Sequence, residues 1–119
     1  MGSENAIRII TLNVKGIKIS RNKIPQIIKL IQNRTPDFLF LQETNINSDY
    51  LAGQILFELG LREGFFSLGS NCNGTAIIKT SDRWEITNKK ADNLTGRVTT
   101  MEIKRGIKPE LYTIFMGQL

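Results

Sequence analysis

The 119-residue chain contains no histidine. Imidazole is the usual general base, nucleophile orienter and soft-metal ligand near neutral pH, so no device built on it can be completed by this chain. A single cysteine, Cys72, excludes an internal disulfide. With no partner thiol or histidine it also makes a zinc site implausible. Such sparing use of cysteine suits a reducing compartment and predicts an intracellular protein of the nucleus or cytoplasm. No apolar run approaches the roughly 18 residues of a membrane-spanning helix. The opening Met1-Gly2-Ser3-Glu4-Asn5 has no apolar signal core, and Ala6 stands where N-myristoylation wants Ser or Thr. Residues 1–6 are expected to form a flexible start.

What is present is the composition of one globular domain, 40% hydrophobic and 23% charged. Sixteen Lys and Arg against eleven Asp and Glu leave a net charge of +5. That balance is compatible with a phosphate-rich partner, though many proteins that bind no nucleic acid share it.

The period of the apolar residues divides the chain into elements. Residues 6–14, "AIRIITLNV", alternate and are rich in β-branched side chains, predicting a largely buried strand that ends near Asn13. From residue 22 the period becomes helical. Ile24, Ile27, Ile28 and Ile31 form one stripe, Pro25 is tolerated in the first turn, and Pro36 stops the helix. Residues 37–42 are almost wholly apolar and predict a strand buried on both faces. Ser48-Asp49 offers an N-cap to a helix whose Leu51, Ile55 and Leu59 share a face and which Gly60 ends. Strands are then expected at 63–68, 74–79, 83–89, 97–104 and 110–116, separated by "GSNCNG", "TSD", "ADNLTG" and "RGIKP". The predicted order is β-α-β-α followed by an antiparallel run, an α+β fold with one mixed sheet and two helices on one of its faces.

Asn13 and Glu43 fall at the C-terminal ends of the two strands that the first helix brings side by side, where α/β sheets gather ligands. A carboxamide and a carboxylate are hard oxygen donors, suited to Mg²⁺ or Mn²⁺. A turn asparagine beside a solvent-facing glutamate fits the same spacing. Lys15, Lys18, Arg21, Lys23 and Lys29 surround this end of the fold, either as a solvated face or as a track for a phosphate backbone. The aromatics are scattered along strands and read as core rather than as a base-stacking platform; Trp84, mid-strand, reads as packing.

In order, "TLNVKGI" (11–17), "PDFLFLQET" (36–44), "NGTAIIKTSD" (73–82), "TGRVTTMEIK" (95–104) and "ELYTIF" (110–115) resemble the endonuclease/exonuclease/phosphatase superfamily. That superfamily includes DNase I, exonuclease III and the apurinic-type endonucleases of LINE retrotransposons, and the retrotransposon group is the most similar. The resemblance implies a four-layer α/β sandwich and a Mg²⁺-dependent DNA endonuclease. It implies that Glu43 ligates the metal and that Asn13 helps place the metal or the scissile phosphate. It implies too that Gln42 packs behind them or supports the ligand, that Thr44 and Asn45 contact the substrate backbone, and that Arg97 lies near the bound strand.

The pattern then departs from the family. Past the strand at 110–115, the family continues into a Tyr-x-Pro segment, an Asp-x-Asn motif and a closing Ser-Asp-His, whereas this chain reads "YTIFMGQL" and ends. Residues 7–116 are therefore expected to form the N-terminal half of the sandwich, a single partial domain inactive on its own, with the facing sheet missing. The bare sheet face would need the rest of a longer polypeptide, another protein or a second copy of the chain to cover it. The alternative is a nuclease-derived, non-catalytic basic subunit that binds RNA, a ribonucleoprotein or protein.

Overall fold

The computed structural model describes residues 6–17, 23–69, 73–91, 98–108 and 110–117. Residues 1–5 of the expected flexible start, and Cys72, lie outside the described residues. Two short strands, β1 (Ile9–Asn13) and β2 (Phe38–Gln42), run parallel in register from Ile9↔Phe38 to Asn13↔Gln42. Between them α1 (Lys23–Arg34) makes the crossover. Its isoleucine stripe packs as the period predicts, with Ile24 and Ile27 buried and Ile28 and Ile31 against the same core. The helix ends before Pro36, and Thr35 takes a φ of 45° at the turn. In α2 (Asp49–Leu59), the Ser48 hydroxyl accepts the Leu51 N–H at 3.2 Å. Gly60, at φ 74°, closes its last turn. Both caps satisfy backbone groups that a helix end otherwise leaves open. No helix among the described residues is long and apolar enough to cross a membrane.

After α2, β3 (Glu63–Ser67) and β4 (Thr75–Lys79) join the first pair to give a sheet of order β1-β2-β4-β3. β4 lies antiparallel to both of its neighbours. β2 and β4 are central and apolar on both faces. Leu39, Leu41, Ala76 and Ile78 turn toward the helices, where Ile24, Ile27, Ala52, Ile55 and Leu59 complete one core. Phe38, Phe40 and Ile77 point the other way, and each is nearly or fully buried.

Their cover comes from the chain itself. β5 (Glu85–Ala91), β6 (Val98–Lys104) and β7 (Leu111–Gly117) form a separate antiparallel sheet, order β5-β6-β7. Its Met101, Ile103 and Ile114, with Trp84, close a second core over Phe38, Phe40 and Ile77. Trp84 is 2% exposed and meets Tyr112 edge-on at 5.8 Å, so it packs rather than stacks on a ligand. The fold is α+β, as expected, but in three layers: helices, mixed sheet, second sheet. This corrects the expectation of one sheet with a missing facing sheet and a bare face. The physical reason is visible in β2 and β4, whose continuous apolar runs demand burial on both sides. Each large side chain so buried contributes roughly 1.5–3 kcal/mol.

The first strand also differs from expectation. β1 alternates between exposed and half-buried, and Ile9 is 41% exposed. It pairs only with β2, so one edge carries no neighbour among the described residues. At the opposite end of the sheet from the β1 and β2 C-termini, buried Asp37 ties three segments together. It accepts the Arg8 backbone N–H at 3.0 Å, and Arg83 Nε and Nη2 donate to its two oxygens at 3.2 and 3.1 Å. Burial pushes the Asp37 pKa up, but the hydrogen bonds from Arg8 and Ser81 and the Arg83 guanidinium outweigh it and hold the carboxyl below its ordinary 3.8.

Candidate functional site

The parallel register of β1 and β2 sets Asn13 beside Gln42, and the next residue of β2's path is Glu43. Both chains then bend sharply. Lys15, Glu43 and Asn45 adopt φ of 48°, 54° and 58°, and Gly16 adopts 86°. Non-glycine residues there carry strain of about 1–3 kcal/mol each, which persists only when the surroundings enforce it. The enforcement is a continued ladder. Val14 N–H donates to Gln42 O at 3.0 Å, Gly16 N–H to Glu43 O at 2.7 Å and Ile17 N–H to Thr44 O at 3.0 Å. On the other side, Thr44 N–H donates to Gly74 O at 3.0 Å and Asn45 N–H to Asn73 O at 2.8 Å. The Glu43 loop is thus clamped between the loop after β1 and the loop before β4.

Within the clamp, Asn13 Nδ2 donates to Glu43 Oε2, and Lys15 N–H donates to Asn13 Oδ1 at 3.1 Å. The carboxamide turns its N–H side to the carboxylate and its oxygen to the backbone. Asn13 thus holds Glu43 in place while its oxygen accepts from the backbone. Lys23 Nζ donates to Val14 O, to Gly16 O at 2.8 Å and to Lys15 O at 3.2 Å. Of the basic residues expected to track phosphate, Lys23 is thus occupied as a loop clamp, while Lys15 remains exposed beside the site. Lys18, Arg21 and Arg97 lie outside the described residues.

Asn45 is exposed, as a substrate contact requires, but Thr44 is 0% exposed. Its hydroxyl accepts the Ile46 N–H at 3.3 Å, and the expected Thr44 contact to a substrate backbone is corrected to a role in shaping the loop. Below the site sits a feature the sequence reading missed. Thr75 lies opposite Gln42 in the sheet register, and its hydroxyl is 2.9 Å from that of Thr99, which donates to Ser67 Oγ at 2.7 Å. All three are fully buried, so this hydroxyl cluster joins the two sheets beneath Glu43 and Asn13. The available signal was Thr99 falling in phase with Met101 and Ile103 along one face of β6.

Among the described residues no group of three or more His, Cys, Asp or Glu side chains converges. The site offers one partly exposed carboxylate with a fixed orientation. That donor set fits a hard divalent cation that keeps most of its waters, as Mg²⁺ does, and gives no soft donor for zinc. Glu43 is the residue that would hold it.

Comparison with known proteins rests on structure: no family model matches the chain, and no curated protein matches it. A humanized D. rerio TDP2 superposes with a TM-score of 0.68 at 16% identity, over 92% of this chain. AP endonuclease LMAP from Leishmania major gives 0.66 at 19% identity over 94%. An endonuclease/exonuclease/phosphatase from Beutenbergia cavernae gives 0.51 at 13% identity over 95%. The chain has the endonuclease/exonuclease/phosphatase fold. It spans only 45%, 40% and 38% of those three chains, so it shares a part of this fold and not the whole of it.

Proposed function

We propose that residues 1–119 are the N-terminal portion of a Mg²⁺-dependent phosphodiesterase, an endonuclease of the exonuclease III or retrotransposon type acting on DNA. The observation that carries this reading is Glu43 itself. A strained, positive-φ carboxylate is delivered by the central strand and clamped by backbone bonds on both sides, with Asn13 donating to it. Strain enforced at a sheet's C-terminal edge beside exposed Lys15 and Asn45 suits a site built for a cation and a phosphate. The fold shared with an AP endonuclease supports the nuclease class, and the "TLNVKGI" and "FLQET" motifs support the retrotransposon type.

In this reading Glu43 holds the cation, and Asn13 fixes the carboxylate's orientation from below. Lys15 and Asn45 bind the phosphate backbone alongside, and Lys23 keeps the loop after β1 from shifting. The bound cation would polarise a phosphoryl oxygen and stabilise the leaving 3′-oxygen. In this reading the chain has no histidine to activate water and the site's one carboxylate is committed to the cation, so further groups are needed for cleavage and 1–119 alone is inactive. That absence also sustains a second reading, a non-catalytic basic subunit bound to RNA, to a ribonucleoprotein or to another protein.

Mn²⁺, added to isotope-labelled protein, tests the proposal through paramagnetic broadening of amide resonances. Broadening centred on residues 13–15 and 43–45, abolished in Glu43→Gln, is the expected result. Equal broadening in Glu43→Gln would refute the metal assignment. A parallel assay on supercoiled plasmid with Mg²⁺ separates the readings: nicking by wild type that disappears in Glu43→Ala would overturn the inactivity of the isolated chain.

A further inference from the structure

Asn13, Gln42, Thr75 and Ser67 are successive register partners across the mixed sheet, one from each strand, and all four are polar. Two residues along the same strands, on the same face, the corresponding positions are Phe40, Ile77 and Phe65, which belong to the apolar core between the sheets. Ser67 and Thr75 are nonetheless 0% exposed, and so is Thr99, which reaches both of them from β6 of the second sheet. Apolar side chains of similar shape could fill such positions at little cost. What three buried hydroxyl groups add is direction, because a satisfied polar network fixes one arrangement of the elements it joins.

Thr99 holds the junction. A hydroxyl group carries one hydrogen. Thr99 gives its own to Ser67 Oγ at 2.7 Å, so in the 2.9 Å contact with Thr75 the Thr75 hydroxyl donates and Thr99 accepts. The Thr75 carbonyl, at 3.3 Å, is a longer alternative acceptor for Thr99. The two strand ends joined in this way are those whose onward chain carries the Glu43 loop. Just before Thr75, Gly74 O accepts the Thr44 N–H at 3.0 Å and Asn73 O accepts the Asn45 N–H at 2.8 Å. Two residues after Ser67, Gly69 N–H donates to Ile46 O at 2.8 Å. Gly69 and Gly74 also meet backbone to backbone, since a Cβ on Gly69 would lie 2.6 Å from Gly74 N. One buried hydroxyl group thus stands beneath three backbone bonds to residues 44–46. The positive φ of Glu43 and Asn45 persists only while such bonds enforce it.

We propose that Thr99 is a positioning residue of the Glu43 site: through Ser67 and Thr75 it fixes the loop at residues 43–46 and with it the direction of the Glu43 carboxylate. The second sheet thereby supports the cation site from beneath. The effect of Thr99 on the cation rests on the phosphodiesterase reading, whereas its hold on the loop does not.

Three variants of the 1–119 chain test it. Thr99→Val keeps the side chain's shape without the hydroxyl, and Thr99→Ser keeps the hydroxyl. Ile103→Val, on the same face of β6 and equally buried, trims the core and controls for lost stability alone. Amide hydrogen exchange without metal reads the loop, and a Mn²⁺ titration followed by broadening at residues 43–45 reads the site. In Thr99→Val, the Thr44 and Asn45 amides are expected to exchange at least about tenfold faster than in Ile103→Val. The Mn²⁺ dissociation constant is expected to rise roughly tenfold, the lower end of what a ligand's supporting partners contribute. Thr99→Ser should stay close to wild type in both. Exchange at Thr44 and Asn45 no faster than in Ile103→Val, no rescue by Thr99→Ser, or a loosened loop with an unchanged Mn²⁺ dissociation constant would overturn the proposal. A wild type that takes Mn²⁺ no better than Glu43→Gln refutes the phosphodiesterase reading instead, and the exchange rates then decide the hold on the loop by themselves. Should Thr99→Val fail to fold, Thr75→Val breaks the same bond from its other end and is expected to loosen the same two amides.

Discussion

Replacing Gly74 with alanine should unseat the Glu43 loop, and the size of the effect can be worked from two neighbouring atoms. Gly74 adopts φ +105°, a region that L side chains rarely enter, and any Cβ there would lie 2.3 Å from Thr44 Oγ1. The backbone term costs about 1–2 kcal/mol. The overlap cannot be relieved by rotating Thr44 outward, because that residue is 0% exposed and its hydroxyl already accepts the Ile46 N–H. Forced adjustment in a packed site adds about 1–3 kcal/mol, so Gly74→Ala should destabilise by about 3 kcal/mol in total. Trp84, the single tryptophan and 2% exposed, gives a fluorescence signal for urea unfolding. The double variant Gly74→Ala/Thr44→Ala then isolates the clash. It removes the obstructing oxygen, so the two changes should be non-additive, with about 1–2 kcal/mol recovered. The denaturant slope should stay constant if only stability changes. A Gly74→Ala loss under about 0.5 kcal/mol, or a cycle that comes out additive, would refute the argument that Gly74 and Thr44 hold this loop by close approach.

Other consequences follow from the same geometry. Asp37→Asn should cost about 2–3 kcal/mol at pH 7, because it weakens a buried acceptor of the Arg8 N–H and of a half-exposed Arg83. The carboxyl's native pKa is depressed, so its contribution is fully present above its ordinary 3.8 and disappears as pH falls through the lower native value. Thermal melts from pH 7 to 2 should therefore show the wild-type and Asp37→Asn curves converging only at the acid end, and convergence near pH 6 would contradict this. Thr99→Val removes the hydroxyl that Thr75 and Ser67 share between the sheets, for a loss of about 1–3 kcal/mol in the same urea assay. Lys23→Met keeps the aliphatic stem but drops three carbonyl contacts. Faster amide hydrogen exchange at residues 14–17 is expected, with exchange in β6 unchanged, and uniform acceleration across both would point to a global rather than a local effect.

Parts of this architecture could be read directly. The helical stripe Ile24, Ile27, Ile28 and Ile31 faces the core as its period requires, and Ser48 and Gly60 cap α2 where their chemistry places them. The meeting of Asn13 and Glu43 followed from a strand-helix-strand crossover alone, since a parallel pair must align its C-terminal ends. Sheet membership was harder. "FLFL" and "TAIIK" are apolar at nearly every position, whereas "TTMEIK" alternates, and that contrast separates doubly covered strands from a half-buried outer sheet. Read that way, the strings name the second sheet's existence; read as strands alone, they merge into one.

Local periodicity, caps and turn residues set the elements and their order, because each depends on neighbours within one turn or one strand. Which faces meet depends on residues dozens of positions apart, and only packing decides it. Packing put the chain's own β5–β7 over Phe38 and Phe40, so the face expected to be bare is covered. It drew Gly74 against Thr44 and buried a threonine that reads, beside a glutamate in a polar stretch, as a surface contact. It turned Lys23 from a charge for phosphate into a clamp on three carbonyls. Short-range patterns carry no information about such approaches, since the atoms that make them are distant in the chain and adjacent only once both cores have closed.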